Sequence, residues 1–154
     1  MDVYVNNTKI RLDPEKSIGK GCEADVYDIG RGLAIKIFKL PDNPDYIGFP
    51  DEQKGAKLRI AEHQKKLRSF PRNLPARIIA PEEIATDASG RNIIGYTMKF
   101  LQNAYTLMNL SDDSFRKAGI SNEAVVEIYQ DLHKTVSETH PLNVVLGDFN
   151  NLNV

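Results

Sequence analysis

The stretch IGKGCEADVYDIGRGLAIKIFK, residues 18–39, contains the clearest fold signal in the chain. Two of its segments, CEADVYDI and LAIKIFKL, alternate in polarity with a period of two residues, which is typical of β-strands. The Gly-Arg-Gly sequence at residues 30–32 lies between them and favours a tight turn. The pattern therefore predicts a β-hairpin in which Ala34, Lys36 and Phe38 project to the same side of the second strand.

Composition limits the classes of protein that need to be considered. The chain has 154 residues, of which 41% are hydrophobic, and this is enough to bury a core of ordinary size. Twenty basic and 21 acidic residues give a formal charge of -1, so no electrostatic signal indicates a nucleic acid or an anionic membrane as a partner. We expect a cytoplasmic protein, because no apolar run approaches a membrane span and the N-terminus has no apolar signal core. The single cysteine, Cys22, and three scattered histidines form no zinc-binding pattern.

The remainder of the chain predicts more strands, followed by helices. Short alternating segments between turn-forming residues predict strands at 3–5, 9–12, 78–85 and 92–100, and an apolar, strand-like run occurs at 144–146. Composition and helical spacing of apolar residues predict helices at 52–70, 111–119 and 121–139. Three prolines make residues 41–51 a loop. This order of elements predicts an α+β fold.

Two glycines, Gly19 and Gly21, form a G-x-G pattern before the first strand of the hairpin. Such a short pattern is weak by itself because it recurs by chance. Lys36 makes it more informative, since a flexible ammonium on the neighbouring strand can reach phosphates that lie under a glycine-rich turn. Because Lys36 shares its side with apolar residues, its charge would be partly desolvated and would favour an anionic partner. The alternative is a surface lysine on a half-buried hairpin.

The segment GDFNNLNV contains a second candidate motif. Asp148 and Asn153 have the spacing D-x-x-x-x-N, in which the carboxylate orients an acceptor hydroxyl and the amide oxygen helps to hold a divalent metal. In a loop with three asparagines this spacing is also common by chance. The order of glycine-rich turn, lysine strand, helix, two strands, two helices and D-x-x-x-x-N is much more specific than any one of these motifs.

In this order the motifs resemble the protein-kinase-like superfamily. IGKGCEADVY resembles its glycine-rich loop, with Ala24 in place of the third glycine, and AIKIFK resembles the strand with the phosphate-binding lysine. IIGYTMKFLQNAYTLM resembles the fifth strand and the hinge. LGDFNNLN lacks the His-Arg of eukaryotic protein kinases and is more similar to atypical bacterial kinases and to aminoglycoside and choline kinases, while the glycine and lysine motifs also resemble those of RIO kinases.

The resemblance implies a particular division of the chain. Residues 1–101 would form a kinase-like amino-terminal lobe with its hinge, built from an antiparallel five-stranded sheet and one large helix. Residues 102–154 would form the first helices and the catalytic loop of a carboxy-terminal lobe. No D-F-G-like motif follows this loop, so the second metal-binding aspartate is missing and we expect little or no kinase activity from this chain alone. The apolar faces at 125–136 and 144–146 would lack their usual cover, which predicts an exposed patch, self-association or a partner chain.

The resemblance also implies a site for ATP and Mg²⁺. The catalytic residues would be Asp148, Lys36 and Asn153, with Asn153 also serving as a metal ligand. Backbone amides of residues 19–24 would cover the phosphates. The residues around the nucleotide would be Ile18, Gly19, Gly21, Val26, Ala34, Lys36, Glu62, Met98, Lys99, Phe100 and Leu101. Glu62 would pair with Lys36, with Glu52 as the alternative, and Met98 would be the gatekeeper.

The implied activity is transfer of the γ-phosphate of ATP to a hydroxyl, which we expect to belong to a serine or threonine of a protein substrate. Two alternatives remain open. The first is a pseudokinase or protein-interaction module without catalysis, and the second is a small-molecule kinase of the aminoglycoside or choline type. Neither a nucleic acid nor a membrane is expected as a partner.

Overall fold

The computed structural model describes all residues from 1 to 154 and has an α+β fold, as predicted. Its strands are β1 (Asp2–Val5), β2 (Thr8–Arg11), β3 (Ser17–Lys20), β4 (Ala24–Gly30), β5 (Leu33–Phe38), β6 (Ile84–Thr86) and β7 (Ile93–Lys99). Its α-helices are α1 (Pro50–Lys66), α2 (Asp113–Lys117) and α3 (Asn122–Thr139). The strands form one antiparallel sheet in the order β2-β1-β6-β7-β5-β4-β3. The sheet therefore has seven strands, and the expectation of five was wrong.

The chain divides into two compact units. The first consists of Met1–Arg72 and Ile79–Phe100 and contains the sheet and α1. The second consists of Asn73–Ile78 and Leu101–Val154 and contains α2 and α3. None of the helices combines the length and the apolar character that a membrane crossing requires.

The β4–β5 hairpin forms where the alternating pattern predicts it. Gly30, Arg31 and Gly32 in its turn have φ angles of 82°, 58° and 73°, a region that glycine enters without steric cost. Ile35 and Ile37 of β5 are buried on one face of the sheet. They belong to a core cluster that also contains Val3, Leu12, Tyr27 and Ala85.

The opposite face of the hairpin packs against α1. Phe38 lies in a second cluster with Ala24 and Ile93, and Ile60 and Leu67 from the helical segment pack against that cluster. In addition, the side chain of Gln64 forms reciprocal hydrogen bonds with the backbone of Ile93: its Nε2 donates to the carbonyl at 2.7 Å and its Oε1 accepts from the amide at 2.8 Å. These contacts set the rotation of α1 about its axis and therefore decide which of its side chains lie near β5.

Several element boundaries differ from the predictions. Residues 17–20 form the strand β3, for which no strand was predicted, because pairing with β4 supplies the backbone hydrogen bonds. The strand predicted at 78–85 is reduced to three residues in β6, and the α-helix predicted at 52–70 ends at Lys66 and continues as a short 3-10 helix. The run at 144–146 pairs with no strand, and Val145 is 83% exposed.

In the second unit, α3 begins where capping chemistry predicts. The Ser121 hydroxyl accepts a hydrogen bond from the Ala124 amide at 3.1 Å, which satisfies one of the free amides at the helix start. Residues 73–78 are joined to this helix by an ion pair between Arg77 Nε and Asp131 Oδ2 at 2.8 Å. Only Thr135 and Thr139 of α3 are buried, so most of the helix surface faces solvent.

Candidate functional site

A small cavity of about 80 Å³ in the first unit lies beside Lys36. Its charged and titratable lining residues are Lys36, Lys39, Arg59, Glu23 and His63. Its apolar and aromatic lining residues are Ala24, Phe38, Ala56, Ile60 and Tyr96. Three residues that are cationic at neutral pH and one carboxylate residue therefore line a space large enough for an anion the size of phosphate.

Several of the predicted site residues lie together around this lysine. Val26 lies directly opposite Lys36 across β4 and β5, and Gly19 of β3 pairs with Val26. On the other side of β5, Ala34 lies opposite Met98 of β7. Because paired residues project to the same side of a sheet, Val26, Ala34, Lys36 and Met98 share one face. Ile18 is an exposed residue of the edge strand β3.

The glycine-rich turn is closed by its own backbone. The Gly21 amide donates to the Ala24 carbonyl at 2.9 Å, so this amide is not available to a phosphate, in contrast to the expectation for residues 19–24. Neither Gly19 nor Gly21 has a positive φ. The advantage of glycine at position 21 is space, because an added Cβ would lie 3.2 Å from the Ala24 carbonyl oxygen.

The segment predicted as a hinge continues the sheet. Lys99 is the last residue of β7 and lies opposite Leu33. The Phe100 amide donates to the Gly32 carbonyl at 2.8 Å, so it cannot donate to a nucleotide base in this arrangement. Leu101 is an exposed residue and carries no such backbone bond from its amide.

The structure does not bring Glu62 to Lys36. The Glu62 carboxylate is exposed and lies 3.9 Å and 3.5 Å from the ammonium groups of Lys65 and Lys66. Glu52, the alternative, is exposed in the first turn of α1. The helical repeat, together with packing through Ile60, directs a different set of side chains toward the cavity. This set consists of Ala56, Arg59, Ile60 and His63.

A network around the proline-containing loop was not predicted. Lys39 is buried, and its ammonium contacts the Asp45 carboxylate and lies 3.6 Å from that of Asp25. Burial lowers the pKa of Lys39, but the hydrogen bond to Asp45 and the charge of Asp25 outweigh it, so the net pKa is raised. The Tyr46 hydroxyl donates to the Cys22 carbonyl at 2.7 Å. The loop is thereby attached to the glycine-rich turn, a contact for which local sequence carries no signal.

His63 is a partly buried titratable residue that lines this cavity. Its ring stacks on Phe38 with a centroid distance of 4.3 Å. Burial lowers the pKa of His63 below its usual value of 6.5, the charge of Glu23 opposes this, and the cations Lys36, Lys66 and Arg59 lower it further. The neutral imidazole is therefore favoured in the folded protein.

This shift predicts a pH-dependent stability. Since His63 binds a proton less readily when folded than when unfolded, its contribution to stability is complete above about pH 6.5 and is lost as the pH falls toward the lower folded value. Urea unfolding between about pH 5 and pH 7.5 measures this slope. His63→Phe keeps the aromatic stack and removes the titration, so its stability is expected to vary less with pH than that of the wild type. Equal slopes would contradict the assignment.

The predicted loop motif is brought together in the second unit. Asn153 Nδ2 donates to Asp148 Oδ2 at 2.7 Å and to the Asp148 carbonyl at 2.9 Å. Asn150 Nδ2 donates to the other carboxylate oxygen of Asp148 at 2.7 Å. The loop is anchored by backbone bonds from Leu107 to Val154 and from Met108 to Asn151, at 2.7 and 2.9 Å.

This arrangement leaves oxygen atoms of the kind that Mg²⁺ prefers. Because Asn153 donates through its nitrogen, its Oδ1 remains an acceptor, and the Asp148 carboxylate retains lone pairs beyond the two amide bonds. Both residues are exposed. No group of three or more His, Cys, Asp and Glu side chains is positioned to hold a metal ion. The fit to Mg²⁺ therefore rests on one amide oxygen, Asn153 Oδ1, and water would have to supply the other ligands.

An exposed apolar patch is present on α3. An open groove of about 440 Å³ runs along the helix. Its lining residues are Val125, Val126, Tyr129, Gln130 and His133. In the same unit, Val145, Phe149 and Leu152 are also exposed large apolar residues. The exposed large apolar residues of α3 are Val126, Ile128 and Tyr129, whereas Val125, Leu132 and Val136 of the predicted stripe are half-buried.

Comparison of the chain with protein-family models, with curated proteins and with solved structures found no match. Neither a family nor a fold family is therefore assigned to this protein by similarity. Its function has to be argued from the motifs and from the geometry of the Lys36 cavity and the Asp148 loop.

Proposed function

We propose that this protein binds the phosphates of ATP at the Lys36 cavity and is the nucleotide-binding part of a kinase-like phosphotransferase. One observation carries the proposal. Lys36 lines a cavity that Arg59 also lines, and its ammonium takes part in none of the salt bridges of the protein, although the residue is half-buried. A partly desolvated cation without a counter-ion favours an anionic ligand.

The size of the cavity indicates which part of the nucleotide it would hold. A volume of about 80 Å³ is well below that of pockets for whole drug-sized ligands, which begin at roughly 300 Å³. A phosphate group fits, whereas a nucleoside does not. The apolar side chains of Val26, Ala34 and Met98 on the same sheet face would support the base and the sugar.

In the second unit, the Asp148 loop contains the residues that the resemblance assigns to phosphoryl transfer. In the proposed reaction an acceptor hydroxyl of a protein serine or threonine forms a bond to the γ-phosphorus, the bond to the β–γ bridging oxygen breaks, and ADP leaves. Asp148 would orient the hydroxyl and accept its proton, and Asn153 would bind Mg²⁺ through its free amide oxygen. The metal, when bound, would neutralise charge on the phosphates.

Calorimetric titration with ATP, with and without Mg²⁺, tests the proposal. We expect saturable binding to the wild type that is weakened about tenfold to a hundredfold in Lys36→Ala, because a hydrogen bond to a charged group is lost. Lys65→Ala is the matched control, since Lys65 is an exposed cation on the same unit and lies outside the cavity. Equal affinity of the wild type and Lys36→Ala would contradict the proposal.

A second candidate is a protein-interaction module that keeps this fold without catalysis. The observation that favours it is the exposed apolar groove on α3, because soluble monomers rarely expose contiguous apolar surface without a partner. The titration separates the two candidates. A folded wild-type chain that does not bind ATP at all would favour the interaction module.

A further inference from the structure

We propose that Arg59 and Lys36 form a two-cation clamp for a phosphoryl group, and that Glu23 is a resident competitor that holds Arg59 until the phosphate displaces it. This inference rests on the proposed function, because it concerns the same cavity. It assigns to α1 a cationic ligand in the place where the resemblance predicted an acidic partner for Lys36.

The position of Arg59 is defined by two contacts. Its Nε lies 3.3 Å from Glu23 Oε1, and its Nη2 donates to the Tyr46 hydroxyl at 3.4 Å. Gly55, one turn earlier in α1, gives the guanidinium its space, since a Cβ there would lie 3.1 Å from Arg59 Nη1. A glycine inside a helix lowers its stability by about 1 kcal/mol relative to alanine, so the space for Arg59 is obtained at a cost in helix stability. The guanidinium is thus held at the cavity wall.

The side chain of Glu23 is able to leave this pair. It is 60% exposed, whereas that of Arg59 is 30% exposed, so a released carboxylate would be readily solvated. The backbone of Glu23 is held separately, because its carbonyl accepts a hydrogen bond from the Lys39 amide at 2.9 Å. The carboxylate can therefore rotate into water while the turn keeps its conformation.

The charges around the cavity favour an exchange of anions. Lys39 is already neutralised by Asp25 and Asp45, and Arg59 is paired with Glu23, which leaves Lys36 without a partner. A phosphoryl dianion in the place of the Glu23 carboxylate would face two cations, so its charge would be balanced. If Glu23 remained, its charge would repel the ligand. The forked geometry of the guanidinium also matches two phosphate oxygens at once.

The test is a calorimetric titration with pyrophosphate and with ATP on a double-mutant cycle of Glu23→Gln and Arg59→Gln. We expect Glu23→Gln to bind about threefold to tenfold more tightly than the wild type, because the competing carboxylate is removed. Arg59→Gln is expected to bind about tenfold or more weakly. In the Arg59→Gln background the gain from Glu23→Gln should be clearly smaller, since Glu23 no longer occupies a cation that the ligand needs. Glu62→Gln, which removes an exposed carboxylate of α1 outside the cavity, is the control and should bind like the wild type.

Each outcome of the cycle decides the inference. Unchanged or weaker binding by Glu23→Gln would show that Glu23 does not compete with the ligand for Arg59. Unchanged binding by Arg59→Gln would show that Arg59 does not bind the phosphoryl group. If ATP binding depends on Lys36 but on neither of these residues, the inference fails while the proposed function stands. If ATP and pyrophosphate do not bind to the folded wild type, both fail. Glu23 is exposed, so Glu23→Gln should fold and keep the test decisive even if Arg59→Gln does not.

Discussion

Replacement of Gly95 by alanine is expected to destabilise the first unit by about 3 kcal/mol or more, one of the largest effects of any single methyl group in this protein. An added Cβ would lie 2.1 Å from the Lys36 carbonyl oxygen and 2.9 Å from Ile37 Cδ1. Gly95 lies opposite Ile37 where β7 pairs with β5, near the middle of the sheet, so the strands would have to separate. Urea unfolding followed by circular dichroism measures the loss.

Gly19→Ala is the matched control for this substitution. Gly19 is also a strand glycine without a positive φ, but a Cβ there would meet only Val26 at 3.7 Å, an ordinary contact. We expect its free energy of unfolding to stay within about 1 kcal/mol of the wild type. Wild-type stability of Gly95→Ala would show that β5 and β7 do not pair in this register. Because β5 carries Lys36, the same result would remove the geometric basis of the proposed site.

Lys39→Ala is expected to lower the free energy of unfolding by about 2–4 kcal/mol. The ammonium of Lys39 is buried between the carboxylates of Asp25 and Asp45, and its removal leaves these two acidic groups near each other without a cation. Asp25 is mostly buried, so its charge cannot be fully solvated after the change. Chemical denaturation at neutral pH, where both carboxylates are ionised, measures the loss.

The control for Lys39 is a lysine in a surface ion pair. Lys9 Nζ lies 2.6 Å from Asp2 Oδ2, and both side chains are about half exposed. Such a pair contributes little, so Lys9→Ala is expected to lower the free energy of unfolding much less than Lys39→Ala does. If Lys39→Ala and Lys9→Ala lowered the free energy of unfolding by similar amounts, burial of Lys39 would not be the reason for its contribution to stability.

The candidate site was predictable from sequence only where it depends on strand alternation. Lys36, Val26, Ala34 and Met98 share a face because they lie at alternating or paired positions of β4, β5 and β7. The partner on α1 could not be predicted in the same way. The helix has polar residues on most of its surface, and its rotation depends on contacts such as the Gln64 hydrogen bonds to Ile93, which lie 29 residues apart in sequence.

The same distinction applies to the loop before α1. Its prolines predicted a loop at residues 41–51, whereas the structure has a short 3-10 helix at Pro44–Tyr46 and α1 begins at Pro50. They carried no information on its attachment through Tyr46 to the carbonyl of Cys22 or through Asp45 to Lys39. These bonds depend on where the glycine-rich turn lies in the folded sheet. For this reason the residues that surround the cavity were identified only in part.

By itself the sequence determined the elements whose signals are local. The β4–β5 hairpin follows from a two-residue period around a Gly-Arg-Gly turn, and the start of α3 follows from Ser121 as its cap. The tertiary structure alone decided the sheet order, in which β1 pairs with β6 so that Tyr4 lies opposite Thr86. It also decided that Arg59, rather than Glu62, lines the cavity beside Lys36. Local periodicity indicates which side of a helix or strand is apolar. Contacts between elements that are far apart in sequence depend instead on the packing of the whole unit.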